Sequence, residues 1–367
     1  MNFTIKKEKL LNILQIADKA ISQFVPKPIL KNVLVEITNN SLIFTSSDSH
    51  ISIKSTLTNK EEFTVEEEGN LLLDEKMISD ICRKIDSKDI TFESIENDFI
   101  TVYGGNSKFK LNVESFESYP KIEFGSVNKK FKVNSCTLKT IVEKTAYACS
   151  EKEIQLNLTG INLFSKQGKL HALATDRFKF ASKEFDINLD EEFNIVIPKK
   201  YFVSAIQCIN QDEIELEIQD NRLLIYMNET TIQIELIEDL FPDVTPIFNN
   251  TIFSTLIIKK SDLLKMIDRC SLIKDEKNKT PITLKTENNK LYISSNYKNS
   301  SSNEVQDAIS YEGENINIIY DSKYFIDSLK AIDTENVKIE FTKEKKVAIL
   351  KNIDDESLIL IIAPQKA

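Results

Sequence analysis

Glycine is scarce in this 367-residue chain and histidine nearly missing, at seven and two residues. The glycines form neither GxGxxG nor GxxxxGK, which excludes the usual phosphate-cradling loops. The histidines, His50 and His171, show no HExxH or paired-ligand spacing, and no GxSxG elbow marks an activated serine. Asp176 lies near His171, but alternating strand context gives no reason for convergence on a substrate; a turn role suits Asp176 better. Five cysteines (Cys82, Cys136, Cys149, Cys208, Cys270) include no CxxC pair and are expected to be reduced and buried. No run reaches the roughly 18 apolar residues of a membrane helix, and Lys6, Lys7 and Glu8 break the N-terminal pattern. A cytoplasmic protein without a membrane partner is expected. Scattered carboxylates leave a metal-dependent nuclease as the one enzyme alternative.

What the chain does have is repetition. Phe3, Ile5, Leu10, Ile13, Leu14 and Ala17 return as Phe131, Val133, Leu138, Ile141, Val142 and Thr145, then as Leu256, Ile258, Leu263, Met266, Ile267 and Cys270. The offsets are 128 and 125 residues. A second series, Leu73, Lys76, Met77, Ile81 and Ile85, returns as Ile197, Lys200, Tyr201, Ala205 and Ile209, then as Tyr320, Lys323, Tyr324, Ser328 and Ile332. Two series with nearly one period predict a triplicated domain, with boundaries at 1–128, 129–253 and 254–367.

Each helical pattern is followed by short runs of period-two alternation, such as Val33 to Ile37 and Leu42 to Thr45, with Asn39-Asn40, Asp220-Asn221 and Asn288-Asn289 as turns. Every repeat therefore reads as βαβββ twice, an α+β chain with six helices. Helices pack about 8 to 10 Å apart, so twelve in a ring would enclose an opening of roughly 25 Å after allowing for helix radius. Six could not, so a closed dimer follows if the helices line a ring.

Net charge is −10, yet the first helix of each repeat is basic: +2 over residues 3–21, +2 over 131–149 and +3 over 256–274. A positive inner surface inside an acidic protein would need that distribution. Lys76, Lys200 and Lys323 recur near the start of the second helices, where positive charge opposes the helix dipole. Stems covering apolar surface are the plainer explanation; phosphate contact is the functional one.

Pro28-Ile29-Leu30, Asp80-Ile81-Cys82-Arg83, Leu173-Ala174-Thr175-Asp176, Phe241-Pro242-Asp243 and Pro364 occur in an order and spacing that resemble the bacterial DNA polymerase III beta subunit family, the sliding clamps. The resemblance spans the whole chain. It implies three tandem clamp domains, helices lining a ring with sheets outside, and a head-to-tail homodimer that encircles duplex DNA and tethers polymerase without catalysis, cofactor or metal. A peptide-binding repeat scaffold that never touches DNA is the alternative.

The same resemblance implies the sites. Short linear peptides from the replicative polymerase, the clamp loader and repair proteins would bind at Leu158, Thr175, Phe178, Lys179, Phe180, Pro242, Pro246, Ile247, Ile361, Ala363, Pro364, Gln365 and Lys366. DNA would meet Lys27, Lys76, Lys200 and Lys323; Phe24 stands where the family has an arginine. Phe109 and Leu111 would meet Leu272 and Ile273 of a second copy. Arg177-Phe178-Lys179-Phe180 replaces the family's Gly-His-Arg-Leu, and the tail Gln365-Lys366-Ala367 replaces an ending that contains methionine.

Overall fold

The computed structural model describes residues 1–22, 27–96, 99–125, 129–152, 154–187, 189, 192–248, 251–276, 278–344 and 346–365. Its helices are α1 (Lys7–Ala17), α2 (Glu75–Lys84), α3 (Ser135–Thr145), α4 (Lys199–Cys208), the single turn α5 (Thr245–Phe248), α6 (Lys260–Cys270) and α7 (Ser322–Ala331). All but α5 begin on the residue after a strand ends. The recurring apolar patterns mark these junctions: strand residues Phe3 and Ile5 are fully buried, and so are Leu10 and Leu14 one and two turns into α1. Each such side chain contributes about 1.5–3 kcal/mol by leaving water.

Two of the three repeats depart from βαβββ. An additional strand, Phe63–Glu67, pairs with Asn2–Lys6, and another, Ser310–Gly313, pairs with Ile252–Lys259. Both cover a strand edge that would otherwise present unpaired backbone groups.

The chain divides into two compact units, Met1–Leu138 with Lys200–Leu236, and Lys139–Lys199 with Ile237–Ala367. In the first, a five-stranded sheet runs Phe63–Glu67, Asn2–Lys6, Asp89–Glu96, Phe99–Gly104, Ser107–Asn112. Its eight-stranded sheet runs Phe131–Asn134, Glu213–Gln219, Arg222–Tyr226, Thr230–Glu235, Ile51–Leu57, Leu42–Ser47, Asn32–Ile37, Gly69–Asp74. Phe3 and Phe92 stack at 4.8 Å within the core beneath α1 and α2. In the second unit, a nine-stranded sheet runs Asn194–Pro198, Gly160–Lys166, Lys169–Thr175, Lys179–Asp186, Leu358–Ile362, Ala348–Asn352, Asn336–Thr342, Ile252–Lys259, Ser310–Gly313. The last sheet runs Ser300–Asp307, Lys290–Tyr297, Pro281–Glu287, Asn317–Asp321.

The two large sheets each cross a repeat boundary by one rule. The third strand after a repeat's first helix pairs antiparallel with the third strand after the next repeat's second helix. Thr230 lies opposite Ser55 at the first crossing, and Ala181 opposite Leu360 at the second. The strands left over by this rule are Ser107–Asn112 of the first repeat and Ser300–Asp307 of the third, and both are sheet edges.

Several bases of the first helices have internal partners. The Lys7 ammonium donates to the carbonyls of Arg83 (3.1 Å) and Ile85 (2.6 Å) at the end of α2, and Lys260 donates to Ile332 (2.7 Å) after α7. Lysines thus satisfy carbonyls that a helix end leaves without partners. Lys9 lies between Glu62 and Glu229, and Lys144 between Glu143 and Asp333. The basic character seen in sequence is therefore partly structural. Four cysteines are buried and free, whereas Cys136 is exposed, correcting the expectation for that residue. It sits at the second position of α3, away from the stripe of Leu138 and Ile141 that enters the core.

Candidate functional site

The hairpin turn between strands Lys169–Thr175 and Lys179–Asp186 organises the candidate groove, and its side chains dictate the bend. One carboxylate oxygen of Asp176 accepts from the N–H groups of Phe178 and Lys179, both at 2.9 Å. The Thr175 hydroxyl donates to the Lys179 carbonyl at 2.8 Å and accepts from the Arg177 N–H at 3.1 Å. Asp176 is thereby a turn-former. His171 instead stacks on Phe164 at 4.7 Å, with its pKa lowered by burial.

The turn forces alternate residues apart. Phe180 is buried with Leu173, Val347, Ile349 and Ile361, while Phe178 stays 59% exposed. Lys179, only 8% exposed, points its ammonium 3.7 Å from Asp176 and over the rings of Tyr324 (5.3 Å) and Tyr147 (5.9 Å). Burial, with Asp176 and Asp321 nearby, pushes the Tyr324 phenol up to about 12. Phe178 stacks on the same Tyr324 ring at 6.4 Å.

Beside this turn opens a hollow of about 310 Å³ whose walls include Leu158, Thr175, Arg177, Pro242, Asp243 and Val244. Phe241 and Val244 pack on the Phe180 and Ile361 cluster, which gives the hollow an apolar base. The Asn157 amide donates to the Leu240 carbonyl at 2.7 Å and ties two rims together. The tail closes the neighbourhood: Ala363 N–H donates to the Phe178 carbonyl at 2.7 Å, Gln365 N–H to Ile319 at 2.8 Å, and the Gln365 amide to Asp321 at 3.0 Å. Pro364 lies between these attachments, half-buried.

Of the groove residues expected from sequence, Leu158, Thr175 and Pro242 line the hollow. Phe180 and Ile361 lie in the cluster beneath it, Phe178, Ala363 and Gln365 join the turn to the tail, and Lys179 is engaged by aromatic rings. Pro246 and Ile247 belong to α5; Lys366 lies outside the described residues. Sequence reasoning missed Arg177, Asp243 and Val244. The signal for Arg177 was its place in the hairpin, where it takes φ 78° as a non-glycine residue.

Lys76, Lys200 and Lys323 are each the second residue of their helix and each is exposed. Asp74 and Asp321 cap two of these helices by accepting from Met77 and Lys323 N–H groups, which offsets the unfavourable cation. The Lys200 ammonium lies 3.9 Å from Asp48 and 4.9 Å from the Tyr201 ring centre. Lys27 borders a cavity shared with Ser47, Ser49, Ser52 and Arg222; Phe24 is outside the described residues. Phe109 and Leu111 are half-buried on the edge strand Ser107–Asn112, whereas Leu272 is 80% exposed and Ile273 half-buried just beyond α6.

Among the described residues no cluster of His, Cys, Asp and Glu could hold a metal, and no helix is long and apolar enough to cross a membrane.

Models of the DNA polymerase III beta subunit match consecutive parts of the chain: the N-terminal domain at residues 1–123, the central domain at 132–243 and the C-terminal domain at 247–366. The beta sliding clamp of Staphylococcus epidermidis is 30% identical over 372 residues, covering 99% of each chain. The crystal structure of the Bacillus subtilis DNA polymerase sliding clamp superposes with a TM-score of 0.95 at 26% identity, over 100% of this chain and 99% of that one. A DNA polymerase III beta chain from Streptococcus pneumoniae shares the fold, with a TM-score of 0.96 at 24% identity and full coverage of both chains. Matched from end to end in sequence and in fold, the chain belongs to the bacterial DNA polymerase III beta subunits, the beta sliding clamps.

Proposed function

We propose that two copies of this chain close head to tail around duplex DNA, and that the hollow beside the Asp176 turn receives linear peptides from the polymerase, the clamp loader and repair proteins. As a sliding clamp the chain is a processivity factor and not an enzyme. The observation that carries the closed dimer is the sheet-crossing rule. Ser107–Asn112 and Ser300–Asp307 are the two strands without the partner that the rule supplies elsewhere. Pairing one with the other between copies completes the series, and a contact of two different patches forms a ring when its rotation closes.

Boundaries at 1–128, 129–253 and 254–367 divide the chain into three clamp domains. Lys76, Lys200 and Lys323 repeat a locally costly charge at one helix position, which supports a phosphate-facing role that reads no sequence; Lys27 joins them from its loop. Phe109 and Leu111 would meet Leu272 and Ile273 across the joint. The hollow's apolar base and mixed polar rim suit anchoring of a Leu or Phe side chain. A cytoplasmic setting follows from the replication role.

Light scattering of the purified chain, followed by a retention assay on circular DNA, tests the proposal. The mass of two chains and retention that is lost on linearising the DNA are expected. A monomer, or retention that ignores free ends, would falsify encirclement.

A further inference from the structure

We propose that the hairpin turn at Asp48 carries a second docking hollow, which takes the carboxylate of an acidic linear peptide and which rests on the groove reading above for its class of partner.

The turn at Asp48 is built like the turn at Asp176. One Asp48 carboxylate oxygen accepts from the N–H groups of His50 (3.1 Å) and Ile51 (3.0 Å), and the Ser47 hydroxyl accepts from the Ser49 N–H at 3.0 Å. Ser49 takes φ 86° where Arg177 takes φ 78°. Beside the turn opens a hollow of about 340 Å³. Its walls repeat those of the groove one repeat earlier: Leu30 stands for Leu158, Ser47 for Thr175, and Pro120 with Ile122 for Pro242 with Val244.

The floors differ. Beneath the groove, Phe180 and Ile361 lie opposite each other on paired strands, and Val347 joins them. At the same register beneath the Asp48 turn the paired residues are Ser52 and Gln233. Arg222, two residues before the strand partner of Gln233, takes the place that Val347 has before the partner of Ile361. An apolar floor has become a polar one. The Ser47 and Ser52 hydroxyls share a bond of 2.8 Å. Gln233 is only 9% exposed, and among the described residues nothing hydrogen-bonds to its side-chain amide. A buried amide without a partner is unfavourable, and a ligand that accepts from it removes the deficit.

Lys27 and Arg222 border the same hollow, both exposed and, among the described residues, without an ion pair. Two cations with an amide and hydroxyl donors suit a carboxylate. Leu30, Pro120 and Ile122 leave an apolar wall for the chain that carries it. Glu123 on the rim separates a peptide from a nucleic-acid strand. Its carboxylate, 3.5 Å from Lys121, would repel a continuous row of phosphates, whereas a single acidic side chain can enter between Lys27 and Arg222.

Random octapeptides displayed on phage and selected on the full chain test this, with Arg222→Glu, Gln233→Leu and removal of residues 363–367 as the comparison proteins. The wild-type selection should yield a class of peptides with a shared Asp or Glu. Dye-labelled members of that class should bind Arg222→Glu at least about tenfold more weakly and Gln233→Leu about threefold more weakly. They should bind the truncated chain as tightly as the intact one, and lose affinity as salt rises from about 50 to about 300 mM. Arg222 is exposed, so its change leaves the core undisturbed. No acidic class in the wild-type selection, or an acidic class that binds both point variants undiminished, would overturn the hollow. A short oligothymidylate weakened by Arg222→Glu, with no acidic class selected, would overturn it in favour of a nucleic-acid strand. An acidic class that behaves as expected while no peptide depends on residues 363–367 overturns the Asp176 groove and leaves the Asp48 hollow standing.

Discussion

The Ala363 N–H donates to the Phe178 carbonyl across 2.7 Å, so the segment that leaves the last strand is fastened to the turn that bears Arg177. Two further bonds from Gln365 fix the tail to Ile319 and Asp321. Removing residues 363–367 deletes all three. Peptide affinity should fall about tenfold or more, since each such bond is worth on the order of 1 kcal/mol. The mass in solution should not change, and undiminished peptide affinity would count against the groove.

Charge reversal at Lys76 and Lys200 probes the proposed phosphate contacts. Both side chains are exposed, so the fold should tolerate glutamate there. Retention on circular DNA should weaken, and the log–log dependence of binding on salt should become shallower by about 0.9 for each phosphate that goes unneutralised. An unchanged slope would remove these lysines from the DNA-facing set.

Leu272 is a surgical point at the proposed joint because its side chain is largely in solvent within one chain. Leu272→Asp should leave the melting temperature of the single chain intact while placing an unpaired charge in the joint. The expected result is a shift from two chains to one, with the mass falling to 42.1 kDa. A dimer of unaltered strength would place the joint elsewhere.

Glu340 offers a test by pH. Burial alone would raise its pKa, but the ammonium groups of Lys338 at 2.6 Å and Lys351 at 2.9 Å more than offset this and hold the carboxyl below its usual range. A depressed folded pKa contributes stability above the unfolded value of about 4.3, and the contribution is lost as pH falls through the folded value. Glu340→Gln should therefore cost about 1–3 kcal/mol at neutral pH, because two lysines lose their buried anion. Urea midpoints of the two proteins should converge as the pH drops below about 4. A gap that stays constant with pH would contradict the ion-pair account.

The helices were legible because their apolar positions recur at one period in three copies, and period-two alternation marked most strands. What sequence did not reveal were contacts between distant segments. Nothing local shows that Lys7 and Lys260 reach the carbonyls ending α2 and α7, so their charge looked free for a partner. Phe63–Glu67 and Ser310–Gly313 escaped notice because each exists to cover another strand's edge. Of the residues that the resemblance named, Leu158, Thr175 and Pro242 line the hollow. The resemblance could not reveal that Arg177 borders the hollow, nor that the turn would bury Phe180 and leave Phe178 outside.

The continuity of the two large sheets across repeat boundaries also bears on how genes can partition this architecture. The backbone ladders at Ser55 with Thr230 and at Ala181 with Leu360 hold neighbouring repeats whether or not a peptide bond links them. A polypeptide built from only two such modules would end in the same pair of unmet strands. Three of those shorter polypeptides would then supply as many modules as the proposed pair of three-module chains.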